Sequence, residues 1–240
     1  MSNIGEILFV IPARGGSKRL PRKNVLPLAG KPLICWTIEA ALKAKLDARI
    51  MVTSDDDEIL EIARRYESQG VTAYKRPDEL ATDTSSTIDV VIDSVKAERA
   101  AGHDPRTLML LQPTSPLRSA DDIRAALEVF RKRGCEDAVV TVCEVDHPTA
   151  WVGTVTSESL FTGVSGTSKR SQDYEKEYRL NGAVYVVNVT TLLTDKKIFS
   201  TRTLASKMPR SRSLDVDEYL DLQICEALLA DMLKRERVDD

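Results

Sequence analysis

A basic, glycine-containing stretch near the amino terminus is the part of this sequence best suited to hold a strongly anionic ligand. The segment IPARGGSKRLPRKN, residues 11–24, contains five cationic side chains and no acidic one. Gly15 and Gly16 allow the backbone to pass close to a ligand and to turn its amides toward it. Arg14 and Lys23 can add charge-assisted hydrogen bonds to phosphate oxygens. We therefore predict a phosphate-binding loop. Its five cations are Arg14, Lys18, Arg19, Arg22 and Lys23.

Neither common phosphate-binding fingerprint occurs in this loop. The pattern GxxxxGK[ST] fails because Pro32 follows Gly30 and Lys31, and because Val25 stands where the first glycine is required. The pattern GxGxxG is missing as well. These observations exclude a P-loop NTPase and disfavour a dinucleotide-binding dehydrogenase. The alternative to a ligand site is a solvated basic turn.

A pair of acidic residues near the other end of the chain is suited to bind a divalent cation. In the segment SLDVD, Asp215 and Asp217 are two positions apart, so an extended backbone places both carboxylates on one face. Two converging carboxylates are costly unless a cation lies between them, and Mg²⁺ prefers such oxygen ligands. The residues alone leave one alternative open, in which Asp217 caps a helix that begins at Glu218.

The elements that must position these residues alternate between strand and helix through the first half of the chain. Continuous apolar runs predict buried strands, and apolar residues at helical spacing predict amphipathic helices. Because no hairpin signal interrupts the alternation, we expect a mostly parallel α/β sheet with helices on both faces. Ligands of such sheets bind outside the carboxyl ends of the strands, where the basic loop lies. The predicted strands are 7–12, 49–55, 71–75, 107–112 and 137–142, and the predicted helices are 31–44, 57–66, 84–100 and 120–132.

The alternation breaks between about 143 and 178, in a segment rich in Ser, Thr, Gly and charged residues. We interpret this segment as an arm, a lid or a dimerisation element within one domain, 1–240. A strand is predicted again at 183–188, and a helix from Asp217 onward, where Leu220 and Ile224 begin an apolar stripe.

The overall composition narrows the class of protein. Lys and Arg number 34 against 37 Asp and Glu, a net charge of −3, which argues against general nucleic-acid binding. The apolar fraction of 42% and the charged fraction of 30% are typical of a soluble protein, and we expect neither a signal peptide nor a membrane helix. The cysteines form no CxxC pair, which favours a reduced, cytoplasmic protein, and the two histidines lack obvious triad partners.

Five segments together resemble one family of enzymes. Their order and spacing resemble those of the CMP-sialic acid synthetases, the cytidylyltransferases that activate nine-carbon 2-keto sugar acids. The resemblance covers nearly the whole chain. It implies a Rossmann-like nucleotidyltransferase that transfers CMP from CTP to the anomeric hydroxyl of a nonulosonic acid, with Mg²⁺ as the ion and pyrophosphate as the second product. It also implies a homodimer in which the segment 143–178 crosses to the partner. The five segments are IPARGGSKRLPRKN, RPDELATDTSSTIDVV, LLQPTSPLRSADDI, YRLNGAVYVVN and SLDVDEYLDLQ.

The same resemblance implies roles for individual residues. Asp215 and Asp217 bind the metal and, with Arg14 and Lys23, form the catalytic set. Thr87 stands where the family usually has serine, and a role at the start of a helix remains an equal alternative. The implied nucleotide-binding residues are Ala13, Arg14, Gly15, Gly16, Ser17, Lys18, Lys23, Asn24, Arg76 and Thr87, with Arg19 assisting. The implied sugar-binding residues are Gln112, Arg170, Arg179 and Tyr185, although Tyr185 could equally be a core residue.

One departure from the family bears on the sugar. Some sialic acid members have a lysine shortly after a His-Pro step, where this chain has Thr149, Ala150 and Trp151. The basic loop also resembles that of members acting on legionaminic acid. We therefore predict sialic acid as the substrate, with legionaminic acid as the alternative. Two other functions remain alternatives to a nonulosonic acid cytidylyltransferase. One is a nucleotidyltransferase for a sugar 1-phosphate or an eight-carbon sugar acid, and the other is a non-catalytic nucleotide-binding module.

Overall fold

The fold is built around a seven-stranded mixed sheet with helices on both sides. The computed structural model of the protein describes residues 4–82, 85–164, 170–200 and 202–236. The strands are β1 (Glu6–Pro12), β2 (Pro27–Leu28), β3 (Lys31–Pro32), β4 (Ala48–Ser54), β5 (Val71–Lys75), β6 (Pro105–Leu111), β7 (Val139–Glu144), β8 (Thr154–Val155), β9 (Phe161–Thr162), β10 (Tyr178–Asn188) and β11 (Leu204–Lys207). The helices are α1 (Leu33–Lys43), α2 (Asp57–Arg64), α3 (Thr87–Ala100), α4 (Ala120–Lys132), α5 (Val189–Asp195) and α6 (Tyr219–Glu236).

The strand order confirms the predicted class and corrects one feature of it. The sheet runs β11-β7-β10-β6-β1-β4-β5, and its neighbouring strands are parallel except where β10 pairs with β6 and with β7. The antiparallel β10 therefore separates β6 from β7, which a simple strand-helix alternation would have placed side by side. The sequence prediction could not detect this because an apolar strand buried on both faces looks the same in either direction.

The alternation of side chains along β1 explains why the sheet needs helices on both faces. Ile7, Phe9 and Ile11 pack in one buried cluster with residues of α1, α2 and α4. Leu8 and Val10 point the other way, into a second cluster with residues of α3 and α5. Each face of the strand is thus apolar and covered, as the unbroken apolar run predicts.

The helix boundaries follow from their caps. The predicted helix 84–100 begins at Thr87 because the side chain of Ser86 accepts a hydrogen bond from the amide of Asp89. A capping box between Ser119 and Asp122 starts α4 at the predicted residue. The short elements α5 and β11 were not predicted, and part of the predicted irregular segment forms the hairpin of β8 and β9. Among the described helices, none has both the length and the apolarity needed to cross a bilayer.

Candidate active site

A cleft of about 600 Å³ lies at the carboxyl ends of β1 and β6. Its wall is formed by the basic loop after β1, the segment after β5, the start of α3, the end of β6 and the segment between β11 and α6. Residues far apart in the sequence therefore meet there. Of the predicted site residues, the cleft is lined by Arg14, Ser17, Lys18, Lys23, Asn24, Arg76, Thr87, Gln112, Asp215 and Asp217, together with Arg19.

The basic loop is held in shape by its own buried asparagine. The side-chain amide of Asn24 donates to the carbonyl of Arg14 over 3.0 Å, which joins the beginning of the loop to its end. Asn24 is buried, and its own backbone lies in a single 3₁₀ turn, Lys23–Val25. Closing the loop in this way places the side chains of Arg14 and Lys23 on the same cleft. Asn24 thus supports the loop as well as lining the cleft.

The loop amides are not placed as the sequence prediction expected. The amide of Gly15 donates to the carboxylate of Asp55 over 3.1 Å, and the amide of Ser17 donates to the carbonyl of Gly15 over 3.2 Å. Ala13, Gly15 and Gly16 are not among the residues that line the cleft. In this structure the cleft therefore offers cationic side chains to an anion, and the predicted contacts from these backbone amides stay predictions.

The acidic pair lies directly opposite the cations. The ammonium of Lys23 is 3.0 Å from Asp217 Oδ1 and 2.6 Å from the carbonyl oxygen of Val216. The guanidinium of Arg19 lies 2.8 Å from Asp217 Oδ2. The segment is fixed to the end of β6 by a hydrogen bond of 2.8 Å from the amide of Val216 to the carbonyl of Thr114. The helix α6 starts at Tyr219, so Asp217 precedes it and points its carboxylate at the loop.

The burial and the hydrogen bonding of the Asp215 carboxylate indicate that this side of the cleft is suited to a cation. Burial raises the pKa of Asp215, the nearby charge of Asp217 raises it further, and a hydrogen bond from Thr114 opposes both. Its Oδ1 is buried and has no hydrogen-bond partner among the described residues. A divalent ion at this carboxylate would satisfy that oxygen and balance the two charges. No cluster of three or more His, Cys, Asp or Glu side chains that could hold a metal occurs in the described part of the chain, so two carboxylates are what the protein offers here.

Arg76 and Thr87 also line the cleft. The guanidinium of Arg76 is buried and donates to the carbonyls of Ala13 (3.2 Å) and Thr53 (2.5 Å), and burial lowers its pKa. Arg76 therefore joins the residue that follows β1 to Thr53 in β4 through these two hydrogen bonds. Thr87 is the first residue of α3, directly after the capping Ser86, and also lines the cleft. Its two alternative roles are thus compatible in one position.

Gln112 and Tyr185 meet beside Gly182, where an added side chain would displace the amide of Gln112. Gly182 has a φ of +73°, and a Cβ built on it would lie 2.7 Å from Oε1 of Gln112 and 4.0 Å from the hydroxyl of Tyr185. Burial raises the pKa of Tyr185, and the charge of Asp215 raises it further. The ring of Tyr185 packs against Phe199. The predicted sugar-binding residues Gln112 and Tyr185 are therefore neighbours.

The two predicted sugar-binding arginines lie elsewhere in the single chain. Arg179 lines a separate hollow of about 400 Å³ with Asp146 and Arg210, which form an ion pair. Arg170 is exposed, and its amide donates to the carboxylate of Asp173. Neither arginine lines the cleft in a single copy of the chain, and their assignment to the sugar stays a prediction.

Sequence reasoning missed two arginines that support the site, one buried and one half-buried. Arg118 is buried and donates to the carbonyls of Gln112 and Ala183, each over 3.0 Å, and burial lowers the pKa of Arg118 to about 9. Arg212 makes two hydrogen bonds of 2.8 Å to the carboxylate of Asp122. Arg118 lies within a segment that carries the family resemblance, so the sequence contained a signal for its importance. No sequence signal pointed to the pair of Arg212 and Asp122, because the two residues are 90 positions apart.

This sheet, with cations and paired carboxylates meeting at the carboxyl ends of its strands, is the arrangement of a Rossmann-like nucleotidyltransferase. Residues 8–204 match the family model described as "Cytidylyltransferase". The chain belongs to that family, and the resemblance noted in the sequence is confirmed.

Two relatives and one solved structure illustrate the similarity. The chain is 35% identical over 231 residues to the CMP-N,N'-diacetyllegionaminic acid synthase of Legionella pneumophila, covering 93% of this chain and 96% of that protein. It is 32% identical over 235 residues to the N-acylneuraminate cytidylyltransferase of Escherichia coli O18:K1:H7, covering 98% of this chain but only 54% of that relative, so it spans about half of the relative's length. The fold is similar to CMP:2-keto-3-deoxy-manno-octonic acid synthetase complexed with CTP, with a TM-score of 0.72 at 18% identity, over 95% of this chain and 99% of that one.

Proposed function

We propose that this protein transfers CMP from CTP to the anomeric hydroxyl of a nonulosonic acid and releases pyrophosphate. The observation that carries the proposal is the convergence of the basic loop and the acidic pair in one cleft, with Lys23 3.0 Å from Asp217. The names of the relatives that match almost the whole chain support this choice of nucleotide and acceptor.

The reaction is a displacement at the α-phosphorus. The hydroxyl oxygen of the sugar forms the new bond to phosphorus, the bond to the pyrophosphate oxygen breaks, and the hydroxyl proton passes to solvent water. The triphosphate and the leaving pyrophosphate bring several negative charges into the cleft, so the protein must neutralise and align them. Arg14, Lys18 and Lys23 line the cleft where such charges can be held. Cations held in the cleft lower the barrier by stabilising the charge that develops on the phosphates in the transition state.

Mg²⁺ is the ion that suits the carboxylate side of the cleft. Asp215 and Asp217 are the residues that would hold it, and the unpartnered buried oxygen of Asp215 supports that assignment. Mg²⁺ commonly uses one or two carboxylates together with substrate phosphates, so a site of two acids is sufficient. When bound, the ion supplies further neutralisation of phosphate charge. Lys23 and Arg19, which now contact Asp217, keep that carboxylate at the edge of the cleft.

Different residues of the site suit the two substrates. We assign Thr87 and Arg76, which line the cleft, to the cytosine nucleotide. We assign Gln112, which also lines the cleft, to the sugar acid, together with Tyr185, which lies beside Gln112 outside the cleft lining. This assignment follows the family resemblance.

We further propose a homodimer in which the segment 143–178 of one copy contacts the other. The hairpin of β8 and β9 exposes a cluster of apolar side chains, including Val155 (69% exposed) and Phe161 (60% exposed). Apolar clusters of this kind mark interfaces more often than free surface. Such an arrangement would also give Arg170 and Arg179 a route to the sugar of the neighbouring copy. The four free, buried cysteines fit a reducing, cytoplasmic location.

A panel of nucleoside triphosphates crossed with sugar acids tests the proposal. Pyrophosphate release should require CTP and a nine-carbon acid, with N-acetylneuraminic acid, legionaminic acid and pseudaminic acid compared at equal concentration. Release with an eight-carbon acid or a sugar 1-phosphate alone would instead support the rival transferases. If no acceptor gives pyrophosphate while CTP still binds, the protein is a nucleotide-binding module and the proposal fails.

A further inference from the structure

One cation of the basic loop does not face the cleft. Arg22 is absent from the cleft lining, and its guanidinium instead binds the start of α2. Both of its terminal nitrogens donate to the carboxylate of Asp56, and one of them also donates to Glu58. We call Arg22, Asp56 and Glu58 the loop latch. It lies between the basic loop and the junction of β4 with α2.

The backbone at Arg22 shows why the loop needs this contact. Arg22 has a φ of +59°, a left-handed conformation that is unfavourable for a residue with a side chain. Such a conformation persists only where surrounding contacts hold it. Lys23 and Asn24 follow at once in the 3₁₀ turn. The conformation of Arg22 therefore sets the direction in which Lys23 enters the cleft.

The carboxylate that receives Arg22 is itself fixed in advance. Asp56 is the N-cap of α2, and its Oδ1 accepts from the amides of Glu58 and Ile59, each over 3.1 Å. Its own amide donates to the hydroxyl of Ser54. The hydrogen bond from Arg22 is the main reason why the pKa of Asp56 is lowered. An exposed ion pair is usually weak, but a forked contact to a carboxylate that is already immobile loses little side-chain entropy.

The same junction also contacts the beginning of the loop. The amide of Gly15 donates to Asp55 over 3.1 Å, and a Cβ built on Gly15 would lie 2.5 Å from Oδ2 of Asp56. Asp55 and Asp56 thus bind the loop at both Gly15 and Arg22. The residues between and beside these two points include Arg14, Lys18 and Lys23, which line the cleft.

We infer that Arg22 and Asp56 are positioning residues for nucleotide binding: the loop latch holds the cations of the basic loop where a triphosphate must bind. This inference rests on the proposed function for the identity of the ligand. Judged by charge alone, the carboxylate of Asp56 should weaken the binding of an anion, so its removal should increase the affinity for CTP. The loop latch predicts the opposite, that removing this carboxylate decreases the affinity for CTP.

The decisive variant is Asp56→Asn, with Asp57→Asn as its matched control. Asparagine is also a good N-cap, so α2 keeps its start. Both substitutions remove one negative charge from the same helical turn, but Asp57 pairs with Lys75 rather than with the loop. If only charge mattered, both variants would bind CTP more tightly. The latch predicts that Asp56→Asn raises the Kd for CTP on the order of tenfold, while Asp57→Asn leaves it unchanged or slightly lower, by isothermal titration.

Two further measurements complete the test. In a double-mutant cycle, Arg22→Gly and Asp56→Asn should not add, because either one opens the same contact. Glycine also removes the left-handed strain, so a loss of affinity in Arg22→Gly cannot come from backbone strain. Amide hydrogen exchange over residues 14–24 should be faster in Asp56→Asn than in Asp57→Asn.

Equal CTP affinity and equal exchange in the two asparagine variants would overturn the inference. The inference would also be overturned if Asp56→Asn lost thermal stability but bound CTP with the affinity of the wild type, because the contact would then be structural only. A wild-type protein that binds no CTP would instead refute the proposed function, and the exchange comparison would still decide whether the latch orders the loop.

Discussion

Lys23 and Asp217 are separated by 194 residues, and their charged atoms lie 3.0 Å apart. The contact joins the loop after the first strand to the segment before the last helix. It defines a cleft with cations on one side and carboxylates on the other. A triphosphate and its divalent ion need both at once, so this single contact connects the fold to the proposed chemistry.

Lys23→Met should reduce pyrophosphate release about 10²- to 10³-fold, the range found when one preorganised group that stabilises the transition state is removed. The loss arises because an ammonium within the cleft is replaced by an apolar chain of similar length. Lys132→Met is the control, since that lysine pairs with Glu128 on the surface of α4. A Lys23→Met enzyme with wild-type turnover would contradict the assigned role.

Asp217→Asn should shift the Mg²⁺ dependence of the reaction to higher concentration and lower the maximal rate. An amide oxygen is a weaker ligand than a carboxylate and does not balance the charge of the ion. Steady-state rates over a Mg²⁺ titration measure the shift, and Glu226→Gln on the exposed side of α6 is the control. Superimposable titrations for Asp217→Asn and the wild type would remove Asp217 from the metal site.

Gly182→Ala should raise the KM for the sugar acid, whereas Gly70→Ala should not. Both glycines have positive φ, +73° and +88°, so each substitution costs about 1 kcal/mol of backbone strain. Only at Gly182 does the new methyl group meet Gln112, whose flexible amide must then move away from its place. Thermal denaturation should report similar losses for both variants. Equal KM values would show that the position of Gln112 does not matter to the acceptor.

Asp122→Asn should destabilise the protein by about 2 kcal/mol at pH 7, because it breaks an ion pair whose carboxylate is buried and whose guanidinium is half-buried, and leaves Arg212 without its carboxylate. Burial opposes the charged form of Asp122, but the hydrogen bonds from Arg212 and Ser119 outweigh it and lower its pKa. The stabilisation is therefore present above the ordinary pKa of an aspartate and is lost as the pH falls through the lowered value.

Urea denaturation of the wild type and of Asp122→Asn from pH 7 down to pH 3 measures this dependence. The difference between them should shrink on acidification. Asp121→Asn, next in sequence and 83% exposed, should change little at any pH. A difference that stays constant down to pH 3 would show that the charge of Asp122 is not what stabilises the segment carrying Asp215.

Phe161→Asp should convert the proposed homodimer to a monomer, because a charge at the centre of an apolar contact must be desolvated without a partner. Light scattering coupled to size-exclusion chromatography gives the mass of each species. Tyr219→Asp provides a control at another exposed aromatic residue, on α6. A wild-type protein that is monomeric at all concentrations would refute the proposed dimer.

The class of fold and the cationic and acidic sides of the cleft could be predicted from local features of the sequence. Continuous apolar strands, capped helices and a basic loop at a strand end are local features, and each depends on residues close together in the chain. The predicted helix 120–132 matches α4 to the residue, and the run 7–12 predicted β1. The pair Asp215 and Asp217 was recognisable because the two carboxylates are two positions apart.

How those parts combine depends on long-range packing, which local sequence features do not reveal. The direction of β10, the contact of Lys23 with Asp217, the support of Gln112 by Arg118 and the turning of Arg22 away from the cleft all join segments from different parts of the chain. A charged side chain looks the same in sequence whether it binds a ligand or another residue. Which partner it takes depends on what the packing of the sheet and helices brings within about 3 Å.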